Sequence, residues 1–349
     1  MDSGKITDAL REIIYPANGK SIVESGIVKS AQENADGSAT VVLEFPRARD
    51  PLALSVRKQA AAALAAAFPD KAGRIEVTVR EAPEIPKRAA ADGTAKIKKV
   101  LAVASGKGGV GKSTVTANLA VTLASMGYKV GILDADIYGP SQPGMFGVEG
   151  YMPAAETEDS AEYMMPASAN GIAIMSIGFF IKPSDALAWR GPMATNALRQ
   201  LIHQTRWGEL DYLLIDLPPG TGDVLLSVAS ELRIDGAVIV TTPQKVATDD
   251  VRRGIAMFRM QGMDIPVTGI IENMAWFTPA ELPRNRYYIF GRGGGRELAR
   301  ETGAPLLGEI PVIQSVMEGS ESGMPAAATD TAAEKYYRDA CEAIVHNLG

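Results

Sequence analysis

The sequence contains very few soft metal ligands. Its 349 residues include one cysteine, Cys341, and two histidines, His203 and His346. Protein sites for zinc and for iron–sulfur clusters usually combine several such side chains. One chain therefore cannot supply a thiolate-ligated metal site alone. The apolar residues around Cys341 recur at the spacing of a helix core, which favours a buried structural thiol over a ligand.

Excess positive charge and long apolar segments are also absent from the sequence. The formal net charge of -6 argues against broad electrostatic binding to nucleic acid or to anionic lipid. No charged-then-apolar leader opens the sequence, and no apolar run is long enough to span a bilayer. We therefore expect a globular cytoplasmic protein that has neither nucleic acid nor a membrane as a partner.

The clearest motif that is present lies between Val100 and Thr114, VLAVASGKGGVGKST. An apolar run rich in β-branched residues leads into a glycine-dense loop and then into a helix-forming segment. Gly106, Gly111, Lys112 and Ser113 fit the phosphate-loop pattern, in which backbone N–H groups and a helix N-terminus hold an anion. Lys112 would reach the β- and γ-phosphates, and the Ser113 hydroxyl would ligate Mg²⁺. A flexible glycine loop between two ordinary elements is the alternative.

A second lysine, Lys107, follows the first glycine of this loop. The string GKGGVGKST resembles the deviant phosphate loop of the MinD, ParA and nitrogenase iron-protein superfamily. In that superfamily the extra lysine reaches the nucleotide of the other subunit, so the resemblance implies a homodimer that closes around two ATP molecules. A solvated surface lysine is the alternative. The loop residues predicted to bind nucleotide are Gly106, Lys107, Gly108, Gly109, Val110, Gly111, Lys112, Ser113 and Thr114.

Carboxylates follow two of the predicted strands, in the strings LDADIYGPS and DYLLIDLPPGTGD. Ligands of a parallel sheet collect at the carboxyl ends of its strands. Resemblance to the superfamily implies that Asp136 orients the attacking water and that Asp134 supports the Mg²⁺ environment. It also implies that Asp216 is the Walker B carboxylate directed at Mg²⁺ and that Gly220 donates its N–H to the γ-phosphate. Alternatively, Asp134 and Asp136 cap the end of a strand.

These assignments predict two sets of residues. The predicted catalytic residues are Lys107, Lys112, Asp136 and Asp216. The predicted Mg²⁺ residues are Ser113, Asp134 and Asp216.

The string WRGPM at 189–193 is characteristic of the Mrp/ApbC subfamily, and the resemblance narrows to that group. By this resemblance Asn273 would hydrogen-bond the adenine edge, and the segment beginning at Pro311 would pack beside the base. An asparagine after a strand is also an ordinary turn residue, so a turn is the alternative for Asn273.

Members of this subfamily normally carry Cys-x-x-Cys between the asparagine–methionine pair and an Ile-Phe-Gly-x-Gly-Gly string. Two such pairs across a dimer supply the four thiolates of a bridging iron–sulfur cluster. This sequence reads NMAWFTPAELPRNRYYIFGRGGG, which keeps the flanks but has no cysteine near Pro279 and Leu282. The resemblance thus implies ATP, Mg²⁺ and an iron–sulfur cluster as cofactors, whereas the residues exclude cluster binding by the usual ligands.

Residues 1–82 are predicted to form a small α+β domain. We expect a helix at 6–14, strands at 21–31 and 39–45, a helix at 55–68 and a strand at 74–79. This order resembles the DUF59/MIP18-like domain associated with iron–sulfur cluster assembly. Such domains often carry a cysteine near 47–50, and this sequence has none there. A generic α+β interaction module is the alternative.

The remaining sequence is predicted to contain a linker and one large domain. Residues 83–98 lose periodicity and collect proline, alanine and charge, as a tether does. Residues 99–349 alternate strand and helix patterns, which predicts an α/β domain with a doubly wound, mostly parallel sheet typical of P-loop NTPases. Within it, residues 151–169 are predicted to be an irregular surface excursion.

The sequence favours a slow, Mg²⁺-dependent ATPase coupled to dimerisation, resembling Mrp/ApbC iron–sulfur cluster carriers. Its implied partners are a second copy and iron–sulfur apoproteins or assembly factors. A ParA/MinD-like positioning ATPase would need a basic patch or a membrane helix, and 334–342 holds three acids against two bases. A carrier that no longer binds a cluster also stays open. A small-molecule kinase would need an acceptor-site base and lid arginines. Arg284, Arg286, Arg292 and Arg296 are candidates for the lid, but arginines after a loop are more often solvated or bound to a partner.

Overall fold

The chain folds into two compact units, Met1–Arg88 and Ala89–Gly349. The computed structural model describes residues 3–15, 19–34, 37–45, 53–80, 92–158, 161–180, 191–220, 222–260 and 263–349. Trp189, Arg190 and the interval 47–50 lie outside these ranges. Of the predicted tether at 83–98, residues 92–98 belong to the second unit, because a strand begins at Ile97 and Gly93 donates its N–H to the His203 carbonyl at 2.7 Å.

The first unit packs two helices against a small sheet. Its elements are α1 Ser3–Leu10, β1 Ile14–Tyr15, β2 Lys20–Ser21, β3 Val28–Glu33, β4 Ala39–Glu44, α2 Ala53–Ala67 and β5 Ile75–Arg80. Strand β4 pairs antiparallel with β3 and parallel with β5. The single strand predicted at 21–31 is wrong. Ser21 and Glu24 exchange side-chain-to-backbone hydrogen bonds, and the turn that they close separates β2 from β3.

The second unit is built on a large sheet. Its strands are β6 Ile97–Ser105, β7 Val130–Asp134, β8 Ala155–Glu158, β9 Ala161–Met164, β10 Ala167–Ala169, β11 Ile172–Ser176, β12 Leu210–Asp216, β13 Gly236–Thr241, β14 Val267–Phe277 and β15 Leu306–Val312. Its helices are α3 Lys112–Ser125, α4 Gln142–Met145, α5 Gly191–His203, α6 Asp223–Glu231, α7 Lys245–Phe258, α8 Gly294–Thr302, α9 Gln314–Glu321 and α10 Thr331–Leu348.

The strands of the large sheet follow the order β10-β11-β7-β12-β6-β13-β14-β15. Every neighbouring pair is parallel except β10 and β11. Helices α5, α6, α7 and α8 contribute to the core on one face, and α3 and α10 contribute to the core on the other. The predicted α/β class with a doubly wound, mostly parallel sheet is confirmed, because helices cover both faces of that sheet.

The interval 151–169 is more regular than the sequence predicts. Strands β8 and β9 form an antiparallel hairpin, and β10 joins the edge of the large sheet beside β11. The prediction of an irregular excursion is therefore wrong. Every residue of β8 is exposed, so this strand lacks the alternation of apolar and polar residues that would have indicated it.

Helix α10 packs against α3 and β15, as its apolar spacing predicts. Cys341 on this helix is fully buried, and its thiol lies 3.6 Å from the Leu119 carbonyl oxygen. Burial raises the pKa of the Cys341 thiol, so it stays protonated and unreactive. No helix in the described part of the chain is both long enough and apolar enough to cross a membrane.

The sheet order brings three functional segments together. Strands β7, β12 and β6 are parallel neighbours, so their carboxyl ends share one edge of the sheet. The glycine loop after β6, the carboxylates after β7 and Asp216 at the end of β12 therefore meet there.

Candidate functional site

The glycine loop connects β6 to α3 and depends on two close backbone approaches. A Cβ atom at Gly106 would lie 2.5 Å from the backbone of Asp250 and Val251. Gly111 has a φ of 81°, and a Cβ atom there would collide with the side-chain amide of Asn273. A larger residue at Gly106 would meet the backbone of α7, and a larger residue at Gly111 would be strained by the positive φ and would displace the Asn273 amide.

Lys112 and Asp216 form a buried ion pair beneath this loop. The Lys112 Nζ contacts Asp216 Oδ1 and lies 3.3 Å from the Ser113 hydroxyl oxygen. The side chain of Lys112 is 6% exposed and that of Asp216 is 0% exposed. The structure thus brings the predicted phosphate-binding lysine, the predicted Walker B carboxylate and the predicted Mg²⁺ hydroxyl into one cluster.

Two further side chains contact Asp216, and neither belongs to the site residues predicted from the sequence. The Thr116 hydroxyl shares its one hydrogen between Asp216 Oδ1 at 3.3 Å and the Lys112 carbonyl at 3.0 Å, and the Gln142 amide donates to Asp216 Oδ2 at 2.7 Å. Thr116 lies one helical turn after Lys112, a spacing that could have suggested it. Gln142 opens α4, and only the tertiary fold brings it to Asp216.

Asp134 ends β7 and is fully buried. It accepts hydrogen bonds from the Ser176 hydroxyl at 3.0 Å and from the backbone N–H groups of Gln142 at 3.1 Å and Asp136 at 3.2 Å. Burial, and then the nearby charge of Asp216, raise the pKa of Asp134 to about 7 despite these donors. Asp134 therefore organises the segment that follows β7, and Ser176 is another contributor that the sequence did not indicate.

Asp136 is half-buried and faces the loop. It accepts a hydrogen bond from the Gly139 N–H at 3.2 Å. Burial raises the pKa of Asp136, Lys112 opposes that rise and Asp216 adds to it. Asp136 and Pro219 border a cavity of about 250 Å³ together with the loop; the loop residues in its lining are Lys107, Gly108, Gly109, Val110, Gly111, Lys112, Ser113 and Thr114.

Lys107 lines this cavity, and Gly220 is hydrogen-bonded to Ser105, another residue of its lining. Lys107 is exposed, and no carboxylate in the described ranges pairs with it. Gly220 has a φ of 90° and donates its N–H to the Ser105 carbonyl at 2.9 Å. A γ-phosphate contact from Gly220 would therefore require that hydrogen bond to break.

Asn273 lies at the other side of the loop, in β14. Its amide donates to the Val110 carbonyl at 2.9 Å, so it holds the loop from a strand that β13 separates from β6. Pro311 is buried within β15, which pairs with β14. Asn273 is thus adjacent to the loop, and Pro311 precedes the chain that leaves the same sheet edge.

The four arginines that are candidates for a kinase lid do not line the cavity at the glycine loop. Arg286 stacks over Trp276 at 4.2 Å and Arg292 over Tyr288 at 4.7 Å, while Arg296 pairs with Glu309. These three arginines line a separate cavity of about 450 Å³. Within the described ranges, neither they nor Arg284 borders the cavity at the glycine loop. The kinase interpretation loses its main candidates for that reason.

The donor set at the loop suits a hard divalent cation. The oxygen atoms there come from a hydroxyl, Ser113, and from two carboxylates, Asp134 and Asp216, which match the preference of Mg²⁺. The described residues contain no group of three or more histidine, cysteine, aspartate or glutamate side chains that could hold a metal ion. A cation at this site would therefore also need phosphate oxygens and water as ligands.

Comparison with known proteins agrees with this geometry. Residues 96–348 match the ParA family described as NUBPL iron-transfer P-loop NTPase, and residues 4–77 match the family described as iron-sulfur cluster assembly protein. The chain is 40% identical over 327 residues to the iron-sulfur cluster carrier protein of Synechocystis, which covers 91% of this chain and 90% of that protein.

Solved structures lead to the same group. A nucleotide-binding protein from Archaeoglobus fulgidus, solved in complex with ADP, is 42% identical with a TM-score of 0.59 and covers 67% of this chain and 89% of its own. The cell division ATPase MinD of Pyrococcus furiosus is 22% identical with a TM-score of 0.53, covers 71% of this chain and 98% of its own, and shows the fold alone. The resemblance carried by the glycine loop and by the first eighty residues is confirmed: this chain belongs to the family of NUBPL-type iron-transfer P-loop NTPases.

Proposed function

We propose that the chain is a Mg²⁺-dependent ATPase that dimerises around ATP and serves iron–sulfur cluster transfer or assembly. One observation carries the proposal: Lys112, Ser113 and Asp136 line one cavity at the carboxyl edge of the sheet, and the buried Asp216 pairs with Lys112 beside it. The family to which the chain belongs supports nucleotide hydrolysis, and the ADP complex of the Archaeoglobus relative supports nucleotide binding.

In the proposed site, the loop N–H groups and Lys112 bind the phosphates. Ser113 and Asp216 hold Mg²⁺ with support from Asp134, and the ion would neutralise charge on the β- and γ-phosphate oxygens. Asp136, half-buried beside Pro219, orients the water that attacks the γ-phosphate. Asn273 lies against the loop, where its side-chain amide donates to the Val110 carbonyl. When nucleotide binds, the amide would release Val110 and hydrogen-bond the adenine edge instead, and the segment from Pro311 would flank the base.

Dimerisation is assigned to Lys107. Its side chain is exposed at the mouth of the cavity and has no acidic partner in the described ranges, so it is available to a second copy. An ammonium group that contacts the other subunit's phosphates would link ATP binding to closure of the dimer. Loss of the γ-phosphate would remove that contact and allow the dimer to dissociate.

The cargo would be an iron–sulfur cluster or its apoprotein, but this chain does not supply the usual thiolates. Cys341 is buried in the core of the second unit, away from any surface. Ligands would have to come from a partner, or the protein would keep the ATP-driven cycle for another cargo. The match of residues 4–77 to a cluster-assembly family supports treating residues 1–82 as a separate domain, and the second unit, which includes residues 92–98, as the ATPase domain.

The test measures dimerisation by light scattering with ATP and Mg²⁺, together with ATP affinity. Lys107→Ala should prevent the ATP-dependent dimer and leave the affinity of the monomer for ATP within a few fold. Lys335→Ala, an exposed lysine on α10, is the matched control and should behave as wild type. A Lys107→Ala protein that dimerises normally would contradict the assignment of this lysine.

A second measurement addresses catalysis and cargo. Asp136→Asn should lower ATP turnover by about 100-fold or more while ATP still binds, because it weakens alignment of the water. Anaerobic reconstitution followed by iron and sulfide analysis should find little stable cluster on the isolated protein. A stoichiometric cluster would show that residues other than cysteine pairs, or a different site, bind it.

A further inference from the structure

We infer that Gln142 is a positioning residue that ties Asp216 to the segment carrying Asp136, so that the Mg²⁺-facing and the water-facing carboxylates move together. The inference rests on the function proposed above and assigns a role to a residue outside the phosphate loop and its carboxylates. Gln142 is completely buried at the start of α4, six residues after Asp136.

The side-chain amide of Gln142 is oriented by its two acceptors. Its Nε2 donates to Asp216 Oδ2 at 2.7 Å and to the Ser113 carbonyl at 3.0 Å. Both neighbours accept only, so the NH₂ group must face them, and its two hydrogens are both used. The Oε1 atom is buried and has no donor in the described ranges. A buried amide that leaves its carbonyl unmet is costly, which argues for a role beyond packing.

The backbone of Gln142 makes the second connection. Its N–H donates to Asp134 Oδ2, and Asp134 Oδ1 accepts from the N–H of Asp136. Asp134, Gln142 and Asp216 therefore form a continuous hydrogen-bonded path from the segment after β7 to the end of β12. Each of the three side chains is 0% exposed, so water does not compete for these contacts.

This path would hold Asp216 more exclusively once Lys112 leaves Asp216 to bind a phosphate. In the structure Asp216 Oδ1 receives Lys112 and Thr116, and Oδ2 receives Gln142. Once Lys112 binds phosphate, Gln142 and Thr116 are the remaining side-chain donors to Asp216 among the described residues. Gln142 would then fix the orientation of the Asp216 carboxylate that Mg²⁺ requires. A displacement of Asp136 would shift Asp134 and Gln142, and through them it would change the orientation of Asp216.

The experiment compares the affinity for a fluorescent ATP analogue in Mg²⁺ and in EDTA, using the full-length chain. Gln142→Met keeps the length and the backbone N–H but removes the donors to Asp216 and Ser113. We expect the ratio of the two affinities to fall by at least tenfold, with the EDTA value changed by less than threefold. Gln142→Ser, which cannot reach Asp216, should show the same pattern and serves if the methionine variant does not fold.

Asn118→Ala is the matched control, because Asn118 is an equally buried amide whose contacts are to Thr114 and Ala327 backbone atoms. It should lower the melting temperature and leave the affinity ratio unchanged. Equal losses in Mg²⁺ and EDTA for the Gln142 variants, or an unchanged ratio, would overturn the inference while the proposed ATPase stands. Absence of ATP binding by the wild type would overturn both.

Discussion

Replacing Lys112 by methionine removes the only ammonium group that contacts Asp216 in the described part of the chain, while keeping a similar side-chain length. Both members of the pair are shielded from water, and Asp134 places a second carboxylate nearby. Removing one member of a buried ion pair costs about 3–5 kcal/mol, because the other charge stays desolvated and uncompensated. We expect Lys112→Met to lower the free energy of unfolding by that amount.

The partner substitution should cost less. Asp216→Asn removes the charge that, after burial, raises the pKa of Asp134, and it leaves Lys112 close to Asp136, where Lys112 opposes the rise in pKa caused by burial. We expect a loss of about 1–2 kcal/mol from weakened hydrogen bonds. The double variant should lose little more than Asp216→Asn alone, which gives a coupling free energy of about 2 kcal/mol or more.

The assay is urea unfolding without nucleotide, followed by tryptophan fluorescence. All three tryptophans, Trp189, Trp207 and Trp276, belong to the second unit, so the signal reports that unit alone. Equal dependence on urea concentration across the variants is needed before their free energies are compared. Lys98→Met with Asp211→Asn is a matched control in the same unit, because Lys98 is exposed and this pair should show little coupling.

An additive cycle, with the double variant within about 0.5 kcal/mol of the sum, would refute the reasoning. It would mean that Lys112 and Asp216 do not compensate each other in the folded protein. Binding of a phosphate by Lys112 would then replace no stabilising ion pair between Lys112 and Asp216.

Three further measurements test other parts of the structure. The pKa of Asp134, raised to about 7 from 3.8, means that the folded chain keeps a proton which the unfolded chain has lost. Its contribution to stability should therefore fall between about pH 4 and pH 7, by at most about 4 kcal/mol, and Asp134→Ala should flatten the urea midpoint against pH. Tyr337 is fully buried and its hydroxyl has no partner in the described ranges, so Tyr337→Phe should raise the unfolding free energy by about 1 kcal/mol; a loss of that size would reveal a hidden partner. Asn273→Ala should lower ATP affinity about tenfold or more and reduce discrimination against GTP, whereas equal losses for both nucleotides would mean that Asn273 only supports the loop.

The sequence was most informative where local patterns and tertiary structure agree. The glycine loop, the apolar run into Asp216 and the core spacing of α10 each depend on neighbours in the chain, and each was found where the sequence predicts it. Parallel strands bring their carboxyl ends to one edge of the sheet, so the sequence predicts that Asp134, Asp136 and Asp216 lie close together.

Other features depend on contacts that no local pattern encodes. Gln142 reaches Asp216 across 74 positions, and Ser176 reaches Asp134 across 42. In the hairpin of β8 and β9, every residue of β8 is exposed and the two strands pair with each other, so no alternation of apolar and polar residues marks β8 in the sequence. The turn after Ser21 divides a run that reads as one strand, because a serine hydroxyl satisfies the backbone there more readily than a sheet partner does.

The contacts of Lys112 suggest how phosphate binding and Mg²⁺ binding would be linked in the proposed cycle. One ammonium group serves Asp216 in this structure, and the same group is needed by the β- and γ-phosphates. When phosphates draw Lys112 away from Asp216, only the neutral donors Thr116 and Gln142 remain at Asp216 among the described side chains. The negative charge of Asp216 is then uncompensated, and a cation would neutralise it. Nucleotide would therefore raise the affinity for Mg²⁺, and Mg²⁺ would raise the affinity for nucleotide by the same factor, as linkage requires. A Lys112→Met protein should lose both effects together.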